Sequence, residues 1–258
     1  MFQAYDFIYD GKSSASESLK LLFFDGAGFS EGLGIPQKDI NLYKTPQASK
    51  WRINSVAIDK PLTFEIEIHV HKKHDVIPRN IVNKINSWLF DHTKFKKLQI
   101  INSTMQGLYF MAVFESPTYI YRNGEIIGYK ATIVTDNVGA YRDKTVTKQC
   151  SGETEFNIKC IHDGIYDIKP QITIQLTNDT TGIAVRINNE KIILSGLIAN
   201  SVFKIDTERL MVDYIENPYI NNRYNMSFPI LINGVNTVSV EGDCMLTIKY
   251  SEVHEVGA

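Results

Sequence analysis

The chain has 258 residues, 43% of them hydrophobic and 22% charged, with a net charge of −2. That length suits one large β domain or two of about 100–150 residues, with an ordinary soluble composition. The near-neutral charge argues against the basic face of a nucleic-acid binder, and no run approaches the roughly 18 apolar residues of a membrane-spanning helix.

The opening MFQAYDFIYD has no basic region and no long apolar core, so no signal peptide is expected. Without a route to a glycosylating compartment, the sequons at Asn102, Asn178 and Asn225 carry no meaning. Residues 4–9 read as a first strand, the cluster Asp10-Gly11-Lys12-Ser13-Ser14 as a turn, and Leu19–Phe24 as a second strand. Residues 25–49 lose the pattern and read as a long irregular segment, of the kind that is usually functional or interface-forming. Gly26 and Gly28 invite comparison with a phosphate-binding loop. The glycine spacing is wrong, no helix pattern follows, and no Lys-Ser/Thr pair closes it.

Residues 62–70, LTFEIEIHV, alternate with period two. Leu62, Phe64, Ile66, Ile68 and Val70 form a buried face, and Thr63, Glu65, Glu67 and His69 a wet one, as in an antiparallel sheet. Residues 77–90, IPRNIVNKINSWLF, alone repeat with a helical period. Ile81, Val82, Ile85, Trp88 and Leu89 make one apolar stripe, and Pro78 sits where a first-turn proline is tolerated. Further strands are expected at 98–101, 108–115, 119–121, 125–127 and 129–135, with Asn123-Gly124 as a two-residue hairpin turn. Residues 136–144 read as a polar turn.

Beyond that the chain is strand after strand: 156–160, 172–176, 183–187, 191–194, 202–205, 210–214, 237–240 and 245–250. Asn188-Asn189 makes a second tight turn, and no helix pattern follows residue 92. Short strands with turn signals between them indicate a β-sandwich or barrel. The polar stretch at 143–155 places the domain boundary, dividing the chain into 1–148 and 149–258.

Few residues offer chemistry. His69, His71 and His74 with Glu67 are the one cluster of ligand-like types, but Lys72 and Lys73 oppose a cation there, and a solvated strand end is the simpler reading. Glu65 and Glu67 lie on one wet strand face, unlike the two carboxylates flanking a glycosidase cleft. No Ser/His/Asp signature or nucleophile elbow is visible. Cys150, Cys160 and Cys244 cannot all pair and read as three small buried thiols of a reducing compartment. Tyr119, Tyr121, Tyr129, Tyr141, Tyr166, Tyr214, Tyr219 and Tyr224 fit either strand propensity or a contact surface.

The order of these features resembles the distal tail (Dit) proteins of long non-contractile-tailed bacteriophages, over essentially the whole chain. The resemblance runs through FIYDGKSSASESLKLL, WRINSVAIDKPLTFEIEI, INSWLF, KFKKLQII, LYFMAVFESPTYIYRNGEIIGYKATIVTDNVGAYRD and SFPILINGVNTVSVEGDCMLTIKY. It implies a mainly β chain: an N-terminal β-rich belt domain with one α-helix, then a C-terminal galectin-like β-sandwich. It further implies a structural, non-enzymatic virion protein without cofactor, metal or catalytic residues. Such proteins form a homo-hexameric ring at the tail tip, between the major tail tube protein and the tail-associated lysin or hub protein. They serve as a platform for receptor-binding or baseplate proteins in host adsorption, after assembly in the host cytoplasm. Neither nucleic acid nor membrane is an expected partner. The alternative is a carbohydrate-binding β-sandwich attaching to host cell-wall sugar, with Tyr219 and Tyr224 offering rings for stacking.

Overall fold

The structure, a computed structural model, describes residues 6–24, 39–47, 49–57, 61–70, 76–101, 105–163, 167–197, 199–214 and 224–254. The chain divides into two compact units after Tyr141. The architecture is mainly β with one α-helix among the described residues.

The first unit is built on β1 (Asp6–Tyr9), β2 (Lys12–Ser13), β3 (Leu19–Phe24), β6 (Thr63–Val70), β7 (Lys96–Ile101), β8 (Phe110–Arg122) and β9 (Glu125–Thr135). These seven strands form one sheet in the order β2-β1-β7-β8-β9-β6-β3. A 3-10 turn at Ser14–Glu17 touches both β1 and β3, so the sheet curls until its two ends approach. The turn is fixed from the sequence side: Asp6 accepts from Ser13, Ser14 and the Ala15 amide. The wet and dry faces of β6 fall as its alternation requires, with Phe64, Ile66 and Ile68 buried.

The Asn123-Gly124 turn has both residues at positive φ, 51° and 82°, as a two-residue hairpin between right-twisted strands demands. The separate short strands expected at 108–135 are in fact two long ones. A bulge between Glu115 and Thr118, with Ser116 at φ 51°, bends β8 without ending it.

Gly128 in β9 packs with no room to spare. A Cβ there would lie 2.4 Å from the Ile68 carbonyl oxygen, a backbone atom that cannot swing aside. Gly128→Ala should therefore destabilise the first unit by about 1–3 kcal/mol, as overpacking does. Chemical denaturation of the purified chain checks this.

The helix α1 (Arg79–Leu89) lies within the expected 77–90 run. Pro78 stands one position earlier than expected, at the N-cap, where its carbonyl accepts from the Ile81 and Val82 amides. Val82, Ile85, Trp88 and Leu89 are buried, and Ile81 is partly so. Trp88 stacks on Phe7 with ring centroids 5.8 Å apart, and its indole N–H donates to the Tyr9 carbonyl at 3.0 Å. The stripe thus faces the sheet, next to an aromatic core that includes Tyr9, Phe114 and Tyr129.

The second unit carries two sheets. One contains β10 (Ala140–Cys150), β18 (Cys244–His254), β12 (Gln171–Leu176), β15 (Val202–Asp206) and β16 (Met211–Tyr214), in that order. The other contains β11 (Glu153–Cys160), β17 (Gly234–Glu241), β13 (Thr180–Ile187) and β14 (Glu190–Leu197). One core joins residues of both sheets, Ile172, Leu246 and Ile248 from the first with Val185, Ile192 and Val238 from the second, which makes the unit a β-sandwich.

Two stretches differ from their sequence reading. Residues 136–144 and 143–155 were expected as turn and polar boundary, yet most of both lies in β10 and β11. β10 is the edge strand of its sheet, so most of its side chains meet water, and only Ala140 and Cys150 are fully buried. A polar edge strand carries no alternation to detect, and charge along an edge protects it from stray pairing.

Candidate functional site

Residues 25–49 were expected to be irregular. Of these, 25–38 and 48 lie outside the described residues, and the rest contain a strand: β4 (Asp39–Tyr43) pairs with β5 (Arg52–Ala57) in a separate two-stranded sheet. Ile40 faces Val56, Leu42 faces Ile53, and Tyr43 faces Arg52. A bulge between Asn41 and Leu42 breaks the alternation, which hid the strand from periodicity.

This hairpin exposes what a folded chain normally hides. Trp51 is 64% exposed and Ile53 61%, with Ile40, Leu42 and Tyr43 each above 40%. Pairing puts Ile40, Leu42 and Ile53 on one face, and Trp51 two residues before Ile53 extends it. At the tip the Lys44 ammonium lies 6.0 Å from the Trp51 ring centroid. A two-stranded hairpin is marginal alone in water. An apolar stripe carrying Trp51, with Tyr43 and Arg52 on the other face of the same hairpin, has the composition of a protein interface.

A cavity of about 630 Å³ lies beside the helix, lined by Leu19, Val70, Ile77, Ile81 and Ile85 and closed at one side by Glu17. Glu17 is bridged by Lys12 at 2.6 Å and Lys84 at 3.3 Å. Burial alone would push its carboxyl up; hydrogen bonds and charge from the two lysines overcome that and hold it below the usual carboxylate range. A depressed carboxyl contributes stability above its unfolded pKa and loses it as pH falls through the folded one. Glu17→Gln should therefore lose stability near neutral pH relative to the parent, with the difference vanishing in acid; melting curves from pH 7 down to pH 3 test this.

Of the sequence candidates for chemistry, Glu65, Glu67 and His69 fall among the described residues. His71 and His74 lie outside the described residues. His69 Nε2 is 3.7 Å from the Glu67 carboxylate, and burial, ahead of the opposing pull of Glu67, lowers its pKa. Glu65 pairs instead with Lys130 at 2.8 Å. Among the described residues no group of three or more His, Cys, Asp or Glu side chains is placed to hold a metal ion. All three cysteines are buried and free.

The tyrosines divide. Tyr121 is exposed and Tyr119 half-buried, its hydroxyl accepting from the Asn86 side-chain amide at 2.9 Å. Tyr129 and Tyr224 belong to the cores, so of the two readings open for them strand propensity holds and contact surface does not. Tyr224 hydrogen-bonds through its hydroxyl to the Ser227 carbonyl and meets Phe228 edge-on. Its ring is not available to stack on a sugar. Tyr166 and Tyr219 fall outside the described residues.

Residues 2–137 match the family model described as phage tail protein N-terminal domain, and residues 140–250 that described as phage tail C-terminal domain. The chain belongs to this family of phage tail proteins. Its role is that of a structural tail component, in keeping with the mainly β fold. No curated protein sequence matches it. Among solved structures, the Dit protein (gp 19.1) of phage SPP1 is similar at TM-score 0.69 and 12% identity, covering 97% of this chain and 99% of that one. That protein is described as a paradigm of the hub adsorption apparatus in phages infecting Gram-positive bacteria. A chain of the phage P2 baseplate, in its activated conformation with calcium, is similar at TM-score 0.59 and 13% identity, covering 98% and 99%. At such identities the likeness is one of fold. It bears out the mainly β, one-helix architecture read from the resemblance.

Proposed function

We propose that this phage tail protein is a distal tail protein, whose first unit assembles into a homo-hexameric ring at the tail tip. The observation that carries the reading is the exposed hairpin β4–β5, in a chain whose fold runs end to end with that of a phage hub protein. The occupant of the hairpin's apolar stripe is a second copy of the chain. In a ring each subunit gives the same contact to the next, a heterologous interface that closes on itself. Burial of Leu42, Trp51 and Ile53 on the neighbour removes a patch that an isolated chain exposes to water.

On this reading the ring joins the tail tube protein to the tail-associated hub protein. The chain serves there as a platform for receptor-binding proteins in host adsorption. The role is structural rather than enzymatic, and the protein works in the virion after assembly in the host cytoplasm.

Native mass spectrometry and negative-stain imaging of the purified chain test the proposal. Six-fold rings with a central hole are expected. Leu42→Asp together with Ile53→Asp should leave the melting of the protomer within about 0.5 kcal/mol of the parent, since both sites are exposed. The same pair should abolish ring formation. Parent protein that stays monomeric at high concentration, or a double variant that still forms rings, overturns it.

A further inference from the structure

The strands that open and close the sandwich unit form one continuous antiparallel ribbon. From Glu153 opposite Glu241 to Cys160 opposite Gly234, β11 and β17 keep an unbroken register. The same register continues through the corner into β10 and β18. The Gly242 amide donates to the Gly152 carbonyl at 2.8 Å, Thr147 and Thr247 hydroxyls meet at 3.2 Å, and Ser251 reaches Asp143 at 2.8 Å. Every one of these pairs obeys the same count, one step forward on one strand for one step back on the other. Three residues beyond Thr147 and three before Thr247 stand Cys150 and Cys244.

The two cysteines are therefore directly opposed where the ribbon passes from one sheet to the other. Both point inward, at 1% and 0% exposure. Hydrogen-bonded and non-hydrogen-bonded pairs alternate along an antiparallel ladder. β10 and β18 are hydrogen-bonded neighbours, with Cys150 ending one and Cys244 beginning the other. Directly opposed residues of an antiparallel pair hold their Cα atoms about 4.5–5.5 Å apart, inside the roughly 4.4–6.8 Å window of a disulfide. The two thiols are close enough to perturb one another's ionisation, while the Cys150 thiol donates to the Lys148 carbonyl at 3.8 Å. Cys160 has a different environment: it faces Gly234, and its sulfur accepts from the Asn236 amide group at 3.5 Å.

We propose that Cys150 and Cys244 are a disulfide site, the pair being closed by a low-molecular-weight disulfide or an equivalent two-electron thiol oxidant. One cysteine thiolate attacks the oxidant's S–S bond and releases one reduced thiol, leaving a mixed disulfide. The second cysteine attacks the protein sulfur of that mixed disulfide and expels the second reduced thiol. The chain loses two hydrogens and two electrons, and the oxidant gains them. The bond staples the first strand of the sandwich to the last, closing most of the unit into one covalent loop.

The burial that holds the pair together also slows the reaction. Desolvation pushes both thiols up, Cys244 to about 12, so thiolate is scarce in the closed fold at neutral pH. The bond forms as the ribbon opens locally, and then persists because the closed fold keeps the sulfurs together.

The test uses the full-length chain, exposed to oxidised glutathione or diamide at pH 8 in mild, sub-denaturing urea. The expected product, read under denaturing conditions, is a chain 2 Da lighter without intermolecular disulfides, one remaining alkylatable thiol at Cys160, and a peptide linking Cys150 to Cys244. The melting midpoint of the sandwich unit should rise by roughly 10 °C and return to the starting value with reductant. Cys160→Ser should behave as the parent, and Cys150→Ser should not close. Three alkylatable thiols after oxidation, a stable glutathione adduct, a bond involving Cys160 or only intermolecular dimers would each overturn the proposal. Ring formation does not enter the readout, so its failure leaves this result intact.

Discussion

Trp88→Ala is expected to destabilise the first unit by about 3–5 kcal/mol, the cost of deleting a buried aromatic ring. Trp88 is only 9% exposed. Its loss opens a cavity at the seam between helix and sheet, removes the stacking on Phe7, and leaves the Tyr9 carbonyl without its indole donor. It also removes the ring face beneath the Lys12 ammonium, 4.8 Å from the centroid. Hydrogen exchange should show protection falling in α1 and β1 while the sandwich strands keep theirs. A loss under roughly 0.5 kcal/mol would mean that the helix presents this face to solvent. Trp88→Phe retains the packing but not the donor, and should fall between the two.

The second large effect is expected in the sandwich unit. Asn236 is fully buried, and its side chain makes a dense set of bonds. Its carbonyl oxygen accepts from the Ile232 amide and the Asn188 side chain, both at 2.8 Å. Its amide group donates to the Ile232 carbonyl at 2.9 Å. One residue thus holds the Asn188 turn and the approach to β17 together. Asn236→Ala strands several buried donors and acceptors, each costing about 1–3 kcal/mol when unmatched. A total loss of about 3 kcal/mol is expected, with β13, β14 and β17 losing exchange protection first. Asn236→Asp keeps the acceptor but removes the donor and buries a charge, so it should not rescue. Full rescue by Asp would show that the donated bonds contribute nothing.

Much of this architecture is legible in the sequence, and particular residues show why. The α1 stripe from Ile81 to Leu89 and the clean alternation of β6 are visible because each has one buried and one wet face. The turns at Asn123-Gly124 and at Asn188 are visible because positive φ selects those residues. Periodicity fails where the environment is not two-sided. β10 runs along a sheet edge, so its polar side chains resemble a linker. β4 and β5 expose apolar groups and contribute no residue to the described core, and the bulge at Asn41 shifts their phase.

The candidate surface is legible in part. Residues 25–49 stood out as a segment that a compact domain has no reason to keep, which directs attention to the right part of the chain but not to Trp51 and Ile53. The buried positions of Tyr129 and Tyr224 were out of reach, because tyrosine is as much at home in a core as at an interface. The facing of Cys150 and Cys244 depends on register between strands far apart in sequence, which no local pattern encodes.

The ribbon that begins the sandwich unit with β10 and ends it with β18 gives the unit a single doorway. Chain enters and leaves side by side, with Asp143 bonded to Ser251 at the threshold. A module attached in this way is a cassette. Everything beyond the threshold can be enlarged, exchanged or decorated without rerouting the chain at that pair of strands.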